Sequence, residues 1–436
     1  MKKVEYSKSI EVRYEADILV AGGGPAGVAA AVTAARQGKK VRLIEAGTCL
    51  GGLGTAGLVP AFMQFGDGEH FLAGGFGEEL FERAKKEGGV RDNGTSIKAE
   101  GLKLIYEKMM EEAGVEFTYH TKLIDVVKSG ECVTLAICAA KSGVYAIAAK
   151  TFIDGTGDGD LCAFAGAETS FGGADGKTMP GTLCSLWSNV DWDVVSGPYG
   201  VHPDNKRIEE AFADGVFTYE DRHLPGMWRV GKNVGGGNIG HTFGVDGRDE
   251  VSLTAAYVWG RKSMREYELY YKKYLRGFEN MELVATAPLM GVRESRRVHC
   301  DYTLGISDFR ADSVFEDEIG RYSYPIDIHI ATPDKAGYEN FLKDISKRLG
   351  KGESYGIPYR SLLPAGLSNV WVTGRCMGVD REMQASIRVM PGCYITGQAA
   401  GMAAALAAGK GGASRNVDIQ ALQKKLKGIG AFLPNC

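Results

Sequence analysis

One segment near the start of the chain constrains the fold more than any other. An apolar run, Ile18 to Val20, leads into Gly22-Gly23-Gly24-Pro25-Ala26-Gly27, which has the spacing G-x-G-x-x-G. An alanine-rich stretch follows as far as Gln37, and a second apolar run covers Val41 to Ile44. Short apolar runs around a helix-forming stretch predict a βαβ unit whose parallel strands are buried on both faces.

Each glycine of the motif has its own function in such a unit. Gly22 permits the tight turn, Gly24 lets the backbone approach a pyrophosphate, and Gly27 lets the helix pack close to the strand. The helix N-terminus offers N–H groups to the phosphates. Glu45 follows the second strand, where a carboxylate binds ribose hydroxyls and repels a 2′-phosphate. The sequence therefore predicts a dinucleotide site that disfavours NADP.

A second string, residues 235–240, also fits G-x-G-x-x-G. The residues that follow it, HTFGVDGRDE, are not helix-forming, and no acid stands at the end of a following strand. We interpret this string as a flexible loop. The chain is thus predicted to hold one dinucleotide and not two, so direct reduction by a bound NADH or NADPH is not expected.

Composition excludes several classes of protein. The net charge is −3, from 51 basic and 54 acidic residues, and indicates no nucleic-acid partner and no anionic membrane surface. No apolar run reaches the roughly 18 residues of a membrane span. The nine cysteines are scattered, without CxxC or zinc-finger spacing, which predicts reduced thiols in a cytoplasmic protein and no metal site.

The distribution of residue types along the chain predicts an α/β fold with two parts. The first and last segments share buried strands and small-residue helices, whereas the middle is rich in Trp, Tyr, Arg and Asp. We expect a discontinuous Rossmann-like domain over residues 1–170 and 355–436, with a mixed α+β substrate domain inserted over 171–354. Helices are predicted near 75–90, 101–114, 252–275, 336–349 and 391–408, and a β-meander over 123–153.

Several further strings carry a resemblance to a known family. They are EAGTCLGGLGT, GVRESRRVHCDYTL, YPIDIHIATP, NVWVTGRCMG and SIRVMPGCYITGQAAGMAAALA. The chain resembles the glutathione-reductase-like superfamily of FAD flavoproteins over nearly its whole length. Within it, the chain is most similar to the bacterial family described as FAD-dependent oxidoreductase, which is related to fumarate reductase flavoproteins. The resemblance implies that the cofactor is FAD.

The resemblance also implies which positions hold FAD. Gly374 would meet the phosphates, and Arg375 stands where the superfamily usually has an acid. The helix after Pro391 would aim its N-terminus at the flavin, where its dipole favours the anionic reduced form. The implied positions are Gly22, Gly24, Pro25, Ala26, Gly27, Glu45, Ala46, Gly51, Gly52, Gly54, Thr55, Leu123, Gly157, Asp158, Gly374, Arg375, Arg388 and Gly392.

A short alternating string offers a candidate general base. In IDIHI, alternation predicts a strand with Asp327 and His329 on one face and the isoleucines on the other. A carboxylate that orients an imidazole is one arrangement of a general base, and the same pair also occurs as a structural hydrogen bond. His241, next to Gly240, is a weaker alternative.

A dense run of charges provides the candidate substrate contacts. Arg293 and Arg296 lie in RESRR, which reads either as a solvated face or as a clamp for a carboxylate or carbonyl. Arg388, before the last long helix, has the same two interpretations.

These features together predict a flavin-dependent oxidoreductase. It would exchange a hydride between flavin N5 and a small polar metabolite at the domain interface, with an electron donor or acceptor that the sequence does not identify. Two alternatives stay open: a FAD-binding electron-transfer subunit of a larger complex, and a flavin-dependent transferase. An oligomer is compatible with the sequence.

Overall fold

A computed structural model describes residues 3–195, 205–223, 226–345 and 348–436. The strands are β1 Val12–Ala21, β2 Val41–Ile44, β3 Glu116–Thr118, β4 Thr121–Ser129, β5 Cys132–Ala140, β6 Gly143–Asp154, β7 Thr169–Phe171, β8 Ser185–Ser188, β9 Met227–Arg229, β10 Gly235–Gly237, β11 Glu282–Thr286, β12 Arg296–Val298, β13 Glu318–Tyr322, β14 Tyr355–Pro358 and β15 Val370–Val372. The helices are α1 Pro25–Ala35, α2 Phe76–Glu87, α3 Ala99–Glu112, α4 Asp160–Phe164, α5 Asn205–Ala213, α6 Glu250–Tyr274, α7 Ile306–Arg310, α8 Lys335–Ile345, α9 Arg381–Ile387, α10 Met390–Ala408 and α11 Ile419–Gly428.

The main sheet is built on the βαβ unit predicted from the sequence. Its strand order is β3-β2-β1-β6-β5-β4, and β15 also pairs with β6. Strand β1 runs parallel to both β2 and β6, while β4, β5 and β6 form the predicted antiparallel meander. Strands β1 and β2 are fully buried where they pair, from Ile18 opposite Val41 onward, as parallel strands covered on both faces should be. The predicted α/β fold class is confirmed.

Two helices cover the sheet in close mutual contact. Helix α1 begins directly after the glycine turn, and α10 packs against it over most of its length. A Cβ on Gly397 or Gly401 would overlap the carbonyl oxygens of Ala26 and Ala30. Small residues one turn apart thus let the two helix backbones approach, which brings the N-termini of both helices to the same end of the sheet.

The middle of the chain forms a second sheet with its own core. This sheet has the order β11-β8-β10-β9 and packs against the long helix α6. Its core contains large aromatic side chains such as Trp187, Tyr271 and Phe278. Strand β15, which lies in the last segment of the chain, pairs with β6 of the first sheet. Strand β13 lies within the predicted inserted domain, yet it pairs with β14, which lies just beyond the predicted boundary at residue 355. The domain boundaries therefore stay a prediction.

Two local predictions are wrong. Residues 235–237 are not a flexible loop but the buried strand β10, held between β8 and β9. A Cβ on Gly236 would lie 2.6 Å from the Cβ of Pro60, so these glycines serve close packing. The IDIHI string belongs to no strand in the part of the chain that the structure describes, so the predicted strand is wrong. None of the described helices is long and apolar enough to cross a membrane.

Candidate active site

A cleft opens at the carboxyl ends of the parallel strands. Its floor consists of the turns after β1, β2 and β6, together with residues 373–375 after β15. Carboxyl ends of parallel strands meet at one edge of a sheet, and this is where α/β folds bind nucleotides. The predicted positions Gly22, Glu45, Gly157 and Gly374, which are far apart in sequence, meet here.

The three motif glycines differ in what surrounds them. Gly22 has φ +94°, and a Cβ there would lie 2.5 Å from the Gly155 carbonyl oxygen. A Cβ on Gly27 would overlap the carbonyl oxygen of Gly22. A Cβ on Gly24 would meet only the Gly155 oxygen, at 3.9 Å. Two of the glycines are thus needed by the fold itself, and Gly24 leaves room in the cleft.

The N-termini of two helices line this part of the cleft, and neither has an acidic side chain in its first turn. The N-cap residue is Gly24 in α1 and Val389 in α10. At neither N-cap does a capping side chain accept a hydrogen bond from the helix N–H groups. Free N–H groups and the positive dipole ends are therefore available to a phosphate or to an anionic ring. Pro25 and Ala26 of α1, and Met390 and Cys393 of α10, line the cleft.

Glu45 is held in a fixed position at the cleft wall. Its carboxylate accepts the N–H of Gly23 at 2.7 Å and that of Gly47 at 2.6 Å. A carboxylate has about four lone-pair positions, so two further hydrogen bonds remain for ribose hydroxyls. Ala46 and Leu123 line the cleft beside it, as the resemblance implied.

The residues around Gly51 mainly support the cleft. The Gly51 N–H donates to the Gly23 carbonyl oxygen at 2.8 Å, and Gly52 lines the cleft. Thr55 is fully buried and donates to the Leu50 carbonyl oxygen at 2.5 Å. A Cβ on Gly54 would lie 2.5 Å from the sulfur of Met390, so this loop abuts the start of α10.

Arg375 links three backbone and side-chain acceptors around the cleft. Its Nε donates to the Gly157 carbonyl oxygen at 2.7 Å and its Nη2 to Asp158 at 2.7 Å. Its Nη1 donates to the Val292 carbonyl oxygen at 2.6 Å. One guanidinium thus fixes the turn after β6 to the middle of the chain. Gly392, in the first turn of α10, packs against the Ile387 carbonyl oxygen, where a Cβ would lie at 2.6 Å.

The opposite wall comes from the middle of the chain and from the residues before α10. Its side chains form a mixed apolar and cationic surface facing the inner end of the cleft. They are Leu253, Tyr257, Leu289, Met290, Val292, Arg293 and Arg388. Sequence analysis missed Tyr257 and Met290, because a lone aromatic on a helix and a lone Met have no motif.

The charge run is buried, so its interpretation as a solvated face is wrong. Arg293 is 7% exposed and donates to the Pro180 carbonyl oxygen at 3.0 Å and to Thr182 Oγ1 at 2.7 Å. Burial, and then the charge of Arg388, lower the pKa of Arg293 to about 10, so it stays a cation at neutral pH. Arg296 binds Asp160, a cleft residue, at 2.9 Å.

Arg388 lines the cleft, and only some of its N–H donors have hydrogen-bond partners among the described residues. Its Nη2 donates to the Asp327 carbonyl oxygen at 3.0 Å and contacts Asp327 Oδ2 at 3.2 Å. Its Nε is buried and has no hydrogen-bond partner among the described residues. Asp327 thus orients the guanidinium of Arg388, which lines the cleft.

The Asp327–His329 pair exists, although not through a strand. The two side chains are 3.3 Å apart, from Oδ1 to Nε2, and His329 Nδ1 lies 2.8 Å from His241 Nε2. His329 is 4% exposed, and Asp327 connects it to Arg388, which lines the cleft. The role of this pair as a general base stays a prediction.

One family model matches nearly the whole chain. The family described as FAD dependent oxidoreductase matches residues 17–426. A search of curated proteins found no match. Among solved structures, a geranylgeranyl bacteriochlorophyll reductase-like protein from Thermoplasma acidophilum is 12% identical at TM-score 0.49, covering 96% of this chain and 84% of that one. An L-proline dehydrogenase from P. horikoshii is 12% identical at TM-score 0.46, covering 95% and 99%.

The family match covers nearly the whole chain, and the cleft fits the cofactor that the family name states. Gly24 leaves room for a pyrophosphate at the uncapped N-terminus of α1, and the fixed carboxylate of Glu45 follows the second strand, where such folds bind ribose. The narrower relation to fumarate reductase flavoproteins stays a prediction. The chain belongs to the family of FAD-dependent oxidoreductases, and it is a flavin-dependent enzyme with FAD as its cofactor.

Proposed function

We propose that this enzyme oxidises or reduces a small metabolite that carries a carboxylate. The observation that carries the proposal is the pair of arginines, Arg293 and Arg388, in the wall opposite the FAD turns. When bound, FAD supplies the hydride acceptor or donor at its N5 atom. The protein supplies the binding wall, its charge and its shape.

The charges of this wall favour an anionic substrate. Arg293 and Arg388 are near enough that the charge of Arg388 lowers the pKa of Arg293, and the single charge of Asp327, which pairs with Arg388, also acts on Arg293. The excess positive charge is buried, where an unpaired cation is costly. A substrate carboxylate would complete the ion pairing and would also take the free donors of Arg388.

The two arginines have different supports and therefore different expected roles. Arg293 is committed to Pro180 and Thr182 through one nitrogen, which fixes its plane. Arg388 is held by Asp327 at one edge and keeps its Nε buried without a partner in the described chain. We assign Arg388 as the direct substrate contact and Asp327 as the residue that positions it.

The experiment is anaerobic rapid mixing of the FAD-loaded enzyme with a panel of metabolites. Each hydroxy or amino acid is tested beside its carboxamide, and flavin absorbance is followed. We expect bleaching by an acid and not by its amide. Losing a charge-assisted hydrogen bond costs about 1.5–3 kcal/mol, so Arg388→Gln should lower kcat/KM by about 10–150-fold.

Two controls separate substrate binding from damage. Arg36→Gln removes an arginine that pairs with Glu79 on the surface, and it should leave kcat/KM unchanged. FAD content and melting temperature show whether Arg388→Gln is folded. Equal reactivity of acid and amide, or an equal effect of Arg388→Gln on both, would refute the anionic-substrate assignment. Flavin reduction by a partner protein alone would favour an electron-transfer subunit instead.

A further inference from the structure

Three histidines from separate segments meet behind the cleft wall. They are His223, His241 and His329, and one side-chain nitrogen of each lies within 4.8 Å of the others. The ring centroids are 4.7 Å apart for His223 and His241, and 4.2 Å for His223 and His329. His241 and His329 are buried, and His223 is partly exposed, so the cluster has an approach from solvent.

A carboxylate lies beside one ring nitrogen of His241 and of His329. Asp221 Oδ2 lies 3.1 Å from His241 Nδ1, and Asp327 Oδ1 lies 3.3 Å from His329 Nε2. A carboxylate beside a ring nitrogen stabilises the tautomer that has its proton on that nitrogen. The remaining nitrogens, His241 Nε2 and His329 Nδ1, are then both lone-pair donors, and they face each other at 2.8 Å.

With these tautomers, the two lone pairs repel each other at 2.8 Å unless a cation lies between or beside them. A proton would make one ring an imidazolium. Neutral imidazole with its other nitrogen on a carboxylate is the form in which histidine binds a metal ion.

We propose that His223, His241 and His329 form a binding site for a divalent transition-metal ion, of the zinc class. Imidazole nitrogen suits Zn²⁺, and three histidines with an open fourth position are a known ligand count for it. Tetrahedral ligands with bonds of 2.0–2.1 Å have nitrogens about 3.3 Å apart. Two nitrogens of this cluster, His241 Nε2 and His329 Nδ1, are 2.8 Å apart, and the ligand nitrogens of the three histidines all lie within 4.8 Å of one another. Modest ring rotations would therefore bring the three nitrogens to the spacing that the metal requires.

The surrounding charges and hydrogen bonds support this site. Asp221 also accepts the backbone N–H groups of His223 and His241, each at 3.0 Å, which fixes both segments around one carboxylate. Asp221 and Asp327 together carry two negative charges, which offset a divalent ion. The nearby cations Arg293 and Arg388 oppose it, and Asp327 lies between Arg388 and His329.

The proposed metal site is linked through Asp327 to Arg388 in the cleft wall. Asp327 contacts His329 with one oxygen and Arg388 with the other, and Arg388 lines the cleft. Metal binding would therefore hold Asp327, and through it Arg388, in place. This inference does not depend on the substrate proposed above, because metal binding is measured without any substrate.

The test is calorimetric titration of the chelator-treated, FAD-loaded enzyme with Zn²⁺ alone. We expect one site per chain and a melting temperature that rises with Zn²⁺. Losing a partner that only orients a ligating histidine costs about 10–100-fold in affinity, which is the loss expected for Asp221→Asn. His223→Gln and His241→Gln, which remove a ligand, should lose at least about 100-fold.

The matched control is His299→Gln. His299 is an exposed histidine bonded to Ser170 at 2.7 Å, outside the cluster, and its loss should leave the affinity unchanged. X-ray absorption at the zinc edge of the wild-type complex should show three imidazole ligands, and it decides the question even if a variant does not fold. No saturable site, fewer than three imidazoles, or a His223→Gln variant that titrates like wild type would overturn the proposal.

Discussion

Replacing Gly24 with valine should separate cofactor binding from folding. Gly24 has φ −69° and ψ −179°, an extended conformation that any residue adopts. The added Cβ would meet only the Gly155 oxygen at 3.9 Å, an ordinary contact. An apolar residue is a poorer N-cap than glycine, so the FAD-free protein should lose no more than about 1 kcal/mol of stability.

The cost to FAD binding should be far larger. The branched side chain points into the cleft, where the pyrophosphate has to approach the N-terminus of α1. Hydrogen bonds to a charged group are worth about 1.5–3 kcal/mol each, so the loss of two costs about 3–6 kcal/mol. That corresponds to about 10²–10⁴-fold in Kd. The purified variant should be nearly colourless.

Gly27→Ala is the contrasting variant. Its Cβ would overlap the Gly22 carbonyl oxygen, a backbone atom that moves only with the turn or the helix. Overpacking of this kind costs about 1–3 kcal/mol or more. This variant should therefore lose stability and FAD together.

The assay compares three proteins after removal and return of FAD. Unfolding of the FAD-free forms by circular dichroism gives stability, and quenching of flavin fluorescence during titration gives Kd. We expect near-wild-type unfolding with weak binding for Gly24→Val, and early unfolding for Gly27→Ala. Full flavin occupancy in Gly24→Val, or unfolding as early as in Gly27→Ala, would refute the reasoning.

Three further predictions follow from the same structure. Stopped-flow mixing with NADH or NADPH should bleach the flavin slowly or not at all, and fast saturable bleaching would contradict the single-dinucleotide interpretation. Burial raises the pKa of Cys393 to about 12, so about one thiol in 10⁴ is ionised at pH 8, and mass spectrometry should find exposed Cys436 alkylated by iodoacetamide long before Cys393. Gly401→Ala, whose Cβ would overlap the Ala30 oxygen, should lower the free energy of unfolding by about 1–3 kcal/mol in urea, whereas Gly428→Ala, which meets nothing within 4 Å, should not lower it.

Local patterns were sufficient for the nucleotide half of the cleft. Strand, glycine turn, helix and acid follow one another between Ile18 and Glu45, so the unit could be predicted as a whole. The distant contributors Gly157 and Gly374 came from the resemblance and not from spacing. The structure places both of them in the same cleft.

Local patterns failed where pairing partners are far away in the chain. Gly235–Gly237 looks like a loop because glycine disfavours strands, yet β8 and β9 enclose it. The alternation of IDIHI predicted a strand, but these residues belong to no strand in the part of the chain that the structure describes. Arg293 looked solvated within a charge run, and is buried because Pro180 and Thr182 supply acceptors.

The sequence by itself determined that residues 18–45 form a βαβ unit of the dinucleotide-binding type, and it placed Glu45, the acid predicted to bind ribose, at the end of the second strand. Periodicity and glycine spacing act within some thirty residues, so they can be read without a fold. Only the tertiary structure decided which charges face that cofactor and which histidines meet behind them. His241 and His329 are 88 residues apart in the chain and 2.8 Å apart in space, and proximity of that kind is set by packing alone.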